Sequence, residues 1–313
     1  MTGHHPVFEH FECTPPFDDD RFHHNFMGAK IAHAFETDLS DIPAWADSPL
    51  AAGLKASGRC TRYEDGIYPF RQSEDYFEWI DLLVAIERAR SCFRMIEIGA
   101  GYGRWTANAA AALRRRKRPR TEQQHFIALE ASTARYESMI ENCRYNSIAQ
   151  DDVTLICAAC VADDHPALMV CDDDYGAGVF RNDALLSQPN QRFSASRPDG
   201  QSVAVEKVPA RQLRDLVTEP VDFLDMDIQG AELEVIPSSI DTLDRFVKMI
   251  HIGTHSPTID ARLPDIFRAH GWHPRHQFLS GCVNETPYGA FHFIDGIQSW
   301  ENPRLSAPPG DMK

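Results

Sequence analysis

The sequence predicts an α/β protein: a mostly parallel sheet with helices on both faces. Three observations carry that reading. From Tyr76 onward, short apolar runs alternate with segments of helical period, as right-handed strand–helix–strand crossovers require. The first of these strands runs directly into a glycine loop and a helix, in "MIEIGAGYGRW". Two later strands, "HFIALE" and "VDFLDMDI", carry carboxylates at the end where open α/β sheets bind ligands.

The elements follow in order. Residues 1–70 form an irregular extension, and Phe11, Phe17, Phe22 and Phe26 imply that it packs on the core. Within it, "FDDDRFHHNFMG" gathers Asp18, Asp19, Asp20, His23 and His24, which reads as polar surface more readily than as a metal cluster. Residues 71–305 form the main domain and 306–313 a tail. "YFEWIDLLVAIERAR" places Phe77, Ile80, Leu83 and Val84 at helical spacing, ahead of a strand at 94–98. A helix at 103–115, a strand at 125–130, a helix at 132–146 and a strand at 153–160 come next. Residues 161–202 are polar and turn-rich, an insertion with a hairpin "VAVEKV" at its end. The rhythm resumes with a short helix "ARQLRDLV", a strand at 221–228, a helix from "AELEVI", a strand at 247–253 and a helix at 259–270. "HGWHPRH" is broken by Gly271 and Pro274 and reads as a turn, while the period-2 stretch "GAFHFID" suits a late antiparallel strand.

Composition narrows the partners. The chain has 313 residues, 43% of them hydrophobic, enough for one large domain with an appendage. A formal net charge of −15 argues against nucleic acid, whose phosphates call for an excess of Lys and Arg. The basic run "RRRKRPR" from Arg114 to Arg120 reads as the solvated end of a helix that Pro119 stops. There is no apolar run of membrane-spanning length and no secretory leader, so a soluble cytoplasmic protein without a membrane partner is the default. The eight cysteines are scattered and read as free thiols. Cys157 and Cys160 in "CAAC" lie three apart on an expected strand, so they face opposite ways and do not converge on a metal. Oligomeric state stays open.

The chemistry gathers at the strand ends. In "EIGAGYG", Gly99, Gly101 and Gly103 allow a sharp turn and close approach to a ligand, but the spacing is not that of dinucleotide enzymes. Glu97 beside that loop would repel a pyrophosphate and suits a nucleotide ligand that brings positive charge, as S-adenosylmethionine does. Glu130 ends the second strand, where an acid can accept both ribose hydroxyls. Asp225 and Asp227 share one face at the end of "VDFLDMDI" and could orient the ligand, act as a base or hold a metal. His255, just past the strand in "HIGTHS", is a candidate general base, whereas His251 reads equally well as a structural histidine.

These blocks, with "DYFEWIDLL", "VDFLDMDIQGAELEVI" and the closing "YGAFHFIDGIQSWENPRL", resemble the FkbM-type S-adenosylmethionine-dependent methyltransferases over roughly residues 68–305. The resemblance implies a Rossmann-like class I methyltransferase fold with a mostly parallel seven-stranded sheet, and methyl transfer to a hydroxyl of a sugar or small natural product. By the same resemblance, Glu97, Gly99, Ala100, Gly101 and Gly103 form the cofactor loop and Glu130 takes the ribose. Asp227 then lies beside the methionine end and the acceptor, and Asp227 or His255 takes the acceptor's proton. A divalent metal such as Mg²⁺ is admitted by the two aspartates, but the sequence offers no ligand triad. The rival readings are an NAD(P)-dependent oxidoreductase and a non-catalytic S-adenosylmethionine-binding scaffold. The first 70 residues and the insertion are where acceptor specificity is expected.

Overall fold

The computed structural model describes residues 5–35, 74–118, 123–163, 167–170, 179–180, 182–187, 192–196 and 202–305. Its centre is a sheet of seven strands: β1 (Cys92–Ile98), β2 (Gln123–Glu130), β3 (Val153–Cys157), β4 (Phe223–Met226), β5 (Met249–Thr254), β6 (His273–Phe278) and β7 (Gly296–Glu301). Their spatial order is β6-β7-β5-β4-β1-β2-β3, with β7 antiparallel to both its neighbours. The remaining pairs are parallel, as expected of a class I methyltransferase sheet. In the middle of the sheet, β1, β4 and β5 are buried almost continuously because both of their faces are covered. Strand order reverses between β1 and β4, so the crevice beyond their carboxyl ends is the topological switch point.

Five helices cover the faces: α1 (Asp75–Arg88), α2 (Arg104–Arg114), α3 (Thr133–Tyr145), α4 (Glu232–Phe246) and α5 (Pro257–Ala269). One apolar core joins α1 and α2 to the sheet and to Val7, Phe8, Phe11, Phe26 and Met27 of the N-terminal segment. A second joins α4 and α5 to the opposite face through Val235, Ile236, Leu243, Leu263 and Phe267. Each large apolar side chain buried fully in this way contributes about 1.5–3 kcal/mol. The starts of α3 and α5 carry the expected caps: Ser132 Oγ accepts from Arg135 N, and Ser256 Oγ from Ile259 N.

Several sequence expectations change. "HGWHPRH" is not a turn: it runs into β6, and Pro274 is tolerated because β6 is an edge strand with a register shift at that point. "GAFHFID" supplies Gly289–Phe293, which pairs with Cys282–Thr286 in a separate hairpin, and the antiparallel strand of the main sheet lies just after it. The strand expected at 153–160 breaks after Cys157, since Ala159–Cys160 pairs instead with Ala210–Arg211. The short helix before β4 is only Leu213–Leu216. The insertion builds its own antiparallel sheet from Ala167–Val170, Val179–Phe180, Arg192–Ser196 and Ser202–Val208. Polar turn chemistry hid these strands from a reading by hydrophobic period.

The basic run is a solvated helix end only in part: α2 ends at Arg114, and Arg114, Lys117 and Arg118 are exposed, but Arg116 is buried, and Pro119 and Arg120 lie outside the described residues. The Arg116 side chain is 2% exposed, and its Nε donates to Glu87 Oε1 at 2.6 Å. Arg115 and Lys117 donate to the backbone oxygens of Glu12 and Glu9. The run thus fastens the N-terminal segment to α1 and α2. In that segment, Asp18 and Asp19 pair with His23 and His24 at 2.7 and 2.8 Å.

A buried polar row crosses the sheet beneath α1. Register places Glu97, Asp225, His251, Ser299 and His276 side by side on β1, β4, β5, β7 and β6. Glu78 and Asp81, three apart on α1, reach down onto it. Glu78 hydrogen-bonds Asp225. Asp81 Oδ2 lies 2.9 Å from His251 Nδ1, and its Oδ1 accepts from Arg275 Nε at 2.8 Å. Burial alone would raise the Asp81 carboxyl, but Arg275 and His251 help to hold it well below the usual carboxylate range. Removing it would take from Arg275 its nearer counter-charge and leave only Glu301, 3.6 Å away. Asp81→Ala should cost about 3–5 kcal/mol in urea unfolding at pH 7. Because the folded-state pKa is depressed, that contribution is complete above about pH 4 and is lost on further acidification, so wild type and variant should converge there.

Candidate functional site

The glycine loop is held by two buried carboxylates. Glu97, 2% exposed, accepts from Trp105 N at 3.0 Å on Oε1. Its Oε2 accepts from Thr106 N at 2.8 Å and from Thr106 Oγ1 at 2.5 Å. These are amides of the first turn of α2, which have no partner within the helix. The expectation that Glu97 faces a cationic ligand is therefore corrected: both oxygens are given to α2, and Glu97 braces the loop from beneath. Burial pushes its carboxyl up to about 7.

The three glycines do different things. A Cβ on Gly99 would lie 1.7 Å from the Asp227 carbonyl oxygen, so this glycine lets the loop pack on the end of β4. Gly103, with φ +72°, starts α2 against Met139 of α3. Gly101, with φ +55°, has nothing within 4 Å of where its Cβ would stand, and it is the glycine that opens the loop toward a ligand. Ala100 is buried with Ala128 and Met139 and faces the core. Glu130 lies at the end of β2 as expected, but its Oε2 accepts from Gly101 N and its Oε1 from Ser132 N, both at 2.7 Å. Each oxygen keeps a second lone pair.

Acids crowd the crevice beyond β1 and β4. Burial first, then the charge of Asp225 on Glu78 and of Glu97 on Asp225, raises both carboxyls well above the ordinary range, and the two share a hydrogen bond. Asp225 is buried under α1 and belongs to the floor. At the rim, burial and the nearby Asp75 push Glu74 up to about 8, and burial also raises Asp295. Arg104, ion-paired with Asp75, is the cation set among them. Sequence reasoning did not single out Glu74, Glu78 or Asp295, because they lie far from the glycine loop in the chain. Among the described residues, no group of three or more His, Cys, Asp or Glu side chains could hold a metal ion.

Asp227 stands at the mouth with its side chain 51% exposed. Its Oδ1 accepts from Gln229 Nε2 at 2.8 Å and lies 3.0 Å from His255 Nε2. His255 Nδ1 in turn lies 3.1 Å from Oε1 of Glu232, a residue with no exposed surface. Burial alone would lower His255, but Asp227 and Glu232 outweigh it and raise the imidazole to about 10. His255 is consequently an imidazolium at neutral pH, which corrects its reading as a free general base. Gln229 holds a left-handed backbone, φ +54°, that non-glycine residues rarely adopt. "DIQGAE" contains both Gln229 and Glu232, so the signal for them was present, but Glu232 read simply as the start of a helix.

The acid-lined crevice and the open side of Gly101 fit a cationic nucleotide and disfavour a pyrophosphate. Comparison with known proteins gives the family. The Methyltransferase FkbM domain profile matches residues 97–278. A protein of Jannaschia sp. (strain CCS1), which carries a provisional methyltransferase designation, is 25% identical over 235 residues, covering 75% of this chain and 81% of its own. The FkbM methyltransferase of Methylobacillus flagellatus KT aligns with a TM-score of 0.41 at 12% identity, over 68% of this chain and 44% of its own length. The chain thus spans less than half of that protein. A precorrin-6y C5,15-methyltransferase from Geobacter metallireducens GS-15 aligns with a TM-score of 0.37 at 17% identity, over 70% of this chain and 85% of its own. With the profile spanning more than half of its length, this chain belongs to the FkbM methyltransferase domain family.

Proposed function

We propose that this protein methylates a hydroxyl group on a small molecule, a sugar or natural product, with S-adenosylmethionine as donor. The observation that carries the reading is Asp227: a half-exposed carboxylate beside the glycine loop, with Oδ1 engaged and Oδ2 accepting no hydrogen bond from the described residues. S-adenosylmethionine supplies an activated methyl group on a sulfonium. Gly101 gives the backbone its approach, and Glu130 uses its remaining lone pairs for the ribose. The carboxylates Glu78, Asp225 and Asp227 favour the positive end. Asp227 takes the acceptor's proton as the acceptor oxygen attacks in line. Most of the rate gain comes from positioning, since the methyl is already activated.

Acceptor choice is assigned to the N-terminal region and the insertion. Phe35 stacks on Tyr102 of the glycine loop at 5.8 Å, so the N-terminal segment reaches the site. Glu206 of the insertion accepts from Thr133 Oγ1, three residues beyond Glu130. An oxidoreductase reading is disfavoured by the acid-lined crevice. A binding-only scaffold would bind S-adenosylhomocysteine yet methylate nothing in a broad panel of hydroxylated acceptors.

Calorimetric titration with S-adenosylhomocysteine tests the cofactor site. Binding should be weakened about tenfold or more by Glu130→Ala, which strips a charged acceptor from the ribose end; absence of binding to wild type would sink the reading. Ligand charge should also move protons. Glu97, Glu78 and Asp225 have raised pKa values, a cationic ligand lowers them, and the site therefore releases protons on binding. Affinity for S-adenosylmethionine should rise between about pH 6 and pH 8, and its proton release should exceed that of S-adenosylhomocysteine, which lacks the sulfonium. Equal release for the two ligands would place the sulfonium elsewhere. Finally, Asp227→Asn should lower turnover about 10²–10⁴-fold with little change in cofactor affinity. Equal losses in both would make Asp227 a cofactor ligand instead of the base.

A further inference from the structure

Three residues beyond the cofactor loop form a continuous chain that ends at the proposed base. Glu232 is fully buried in the first turn of α4 and comes 3.1 Å from His255 Nδ1. His255, whose side chain is 14% exposed, comes 3.0 Å from Asp227 Oδ1 with its other ring nitrogen. We propose that these residues act as one relay in which Glu232 is a positioning residue. Glu232 fixes Nδ1 of His255 through a hydrogen bond, and the charge on the ring holds Asp227, whose Oδ1 lies 3.0 Å from Nε2 as an ion pair without hydrogen-bond alignment. Oδ2 is then the one oxygen left to take the acceptor's proton.

This rests on the methyl-transfer reading and goes beyond it by assigning a role to a residue that touches neither cofactor nor acceptor. The geometry argues for it in two ways. A buried carboxylate is costly without a charged partner, and Glu232 is ion-paired with His255, with Gly230 N as a further donor to the same oxygen. Its Oε2 accepts nothing from the described residues. Conversely, Asp227 lies past the end of β4, where no strand pairing holds a side chain. Without His255 and Gln229 its carboxylate would rotate freely toward solvent. The imidazolium between two carboxylates leaves the trio with one net negative charge, so the mouth still favours a sulfonium. In the transfer step the acceptor oxygen forms the new bond to the methyl carbon. The carbon–sulfur bond breaks with its electron pair staying on sulfur, and the hydroxyl proton passes to Asp227 Oδ2. His255 keeps both of its protons throughout.

Other groups face His255. Asp295, at the start of β7, has Oδ1 4.0 Å from Nε2, and Asp260 of α5 acts on Asp295 in turn. Asp260 spends its oxygens on Thr254 and Ser280, so Asp227 and Asp295 are the carboxylates left to sustain the imidazolium without Glu232, and the test must separate them from it. The test is a pH titration of the histidine ring nitrogens by NMR, in the full-length wild type and in Glu232→Gln, with His255→Gln used to assign the signals. Wild type should show both nitrogens of His255 protonated at pH 8 and a midpoint near about 10. In Glu232→Gln the midpoint should fall by about 1–3 pH units, while S-adenosylhomocysteine affinity stays within about twofold because the cofactor loop is untouched. A wild-type midpoint at ordinary histidine values would overturn the relay, even where the variant does not fold. A midpoint unmoved in Glu232→Gln would overturn the role of Glu232 and leave the ring's charge to Asp227, the nearest carboxylate to Nε2. Failure of wild type to bind S-adenosylhomocysteine would instead defeat the methyl-transfer reading, whatever the histidine does.

Discussion

The contact on which the site depends is the carboxylate of Glu97 against the first turn of α2. Helices begin with amide groups that have no partner of their own, and a buried start must find acceptors for them. Glu97 meets that need with both oxygens, receiving Trp105 N, Thr106 N and the Thr106 hydroxyl. The positive end of the helix dipole favours the charged form. Because Glu97 is part of β1, this ties the strand to the helix that follows and leaves the five intervening loop positions no freedom to drift. Gly99 can then lie against the Asp227 carbonyl, which locks the ends of β1 and β4 together. Loop and base are thereby held in one frame.

The same contact explains why the crevice is conditional in charge. Burial raises Glu97 and the Glu78–Asp225 pair, so the site stores negative potential that is partly masked by protons. An uncompensated buried carboxylate is costly, and protonation is its cheapest remedy. A ligand carrying a sulfonium supplies a better remedy, and the binding free energy includes the difference. His255 shows the opposite arrangement. Two carboxylates flank one ring, and the ring stays charged to serve them. Acids without a cation and acids with one therefore stand side by side, which separates ligand binding from the handling of the acceptor's proton.

Much of this was legible in the sequence, and the losses have physical causes. The parallel strands, the glycine loop and the positions of Glu130 and Asp227 follow from local period and from strand ends. What period cannot give is where a side chain spends its hydrogen bonds. Glu97 stands out in the sequence beside its glycine loop, yet its partners are backbone amides eight and nine residues on, which carry no signature. His255 was read as a base because histidine ordinarily titrates near neutrality, and only the folded chain brings Glu232 and Asp227 to its two nitrogens. β6 was missed because Gly271 and Pro274 outweigh a strand pattern unless the strand is known to lie at an edge. Arg116 was missed for the opposite reason, since a basic run gives no hint that one of its members is buried on Glu87.

Helix α1 joins these parts into one device. Glu78 sits over Asp225 at the crevice floor, and Asp81 sits over His251 and Arg275 at the far strands. Residues three apart share a helix face, so neither contact can be changed without moving the other. The cost of displacing α1 is set mainly by Asp81, whose loss would leave the Arg275 guanidinium only Glu301, 3.6 Å away, as a counter-charge. The crevice floor is thus braced by an ion pair on β6, at the edge of the sheet, while Asp225 itself is free to exchange a proton with Glu78. A site that must change its charge as ligand arrives gains from this division. Along α1 the two tasks fall to different residues: Glu78 shares a proton with Asp225, while Asp81, held well below the carboxylate range, carries the ion pair.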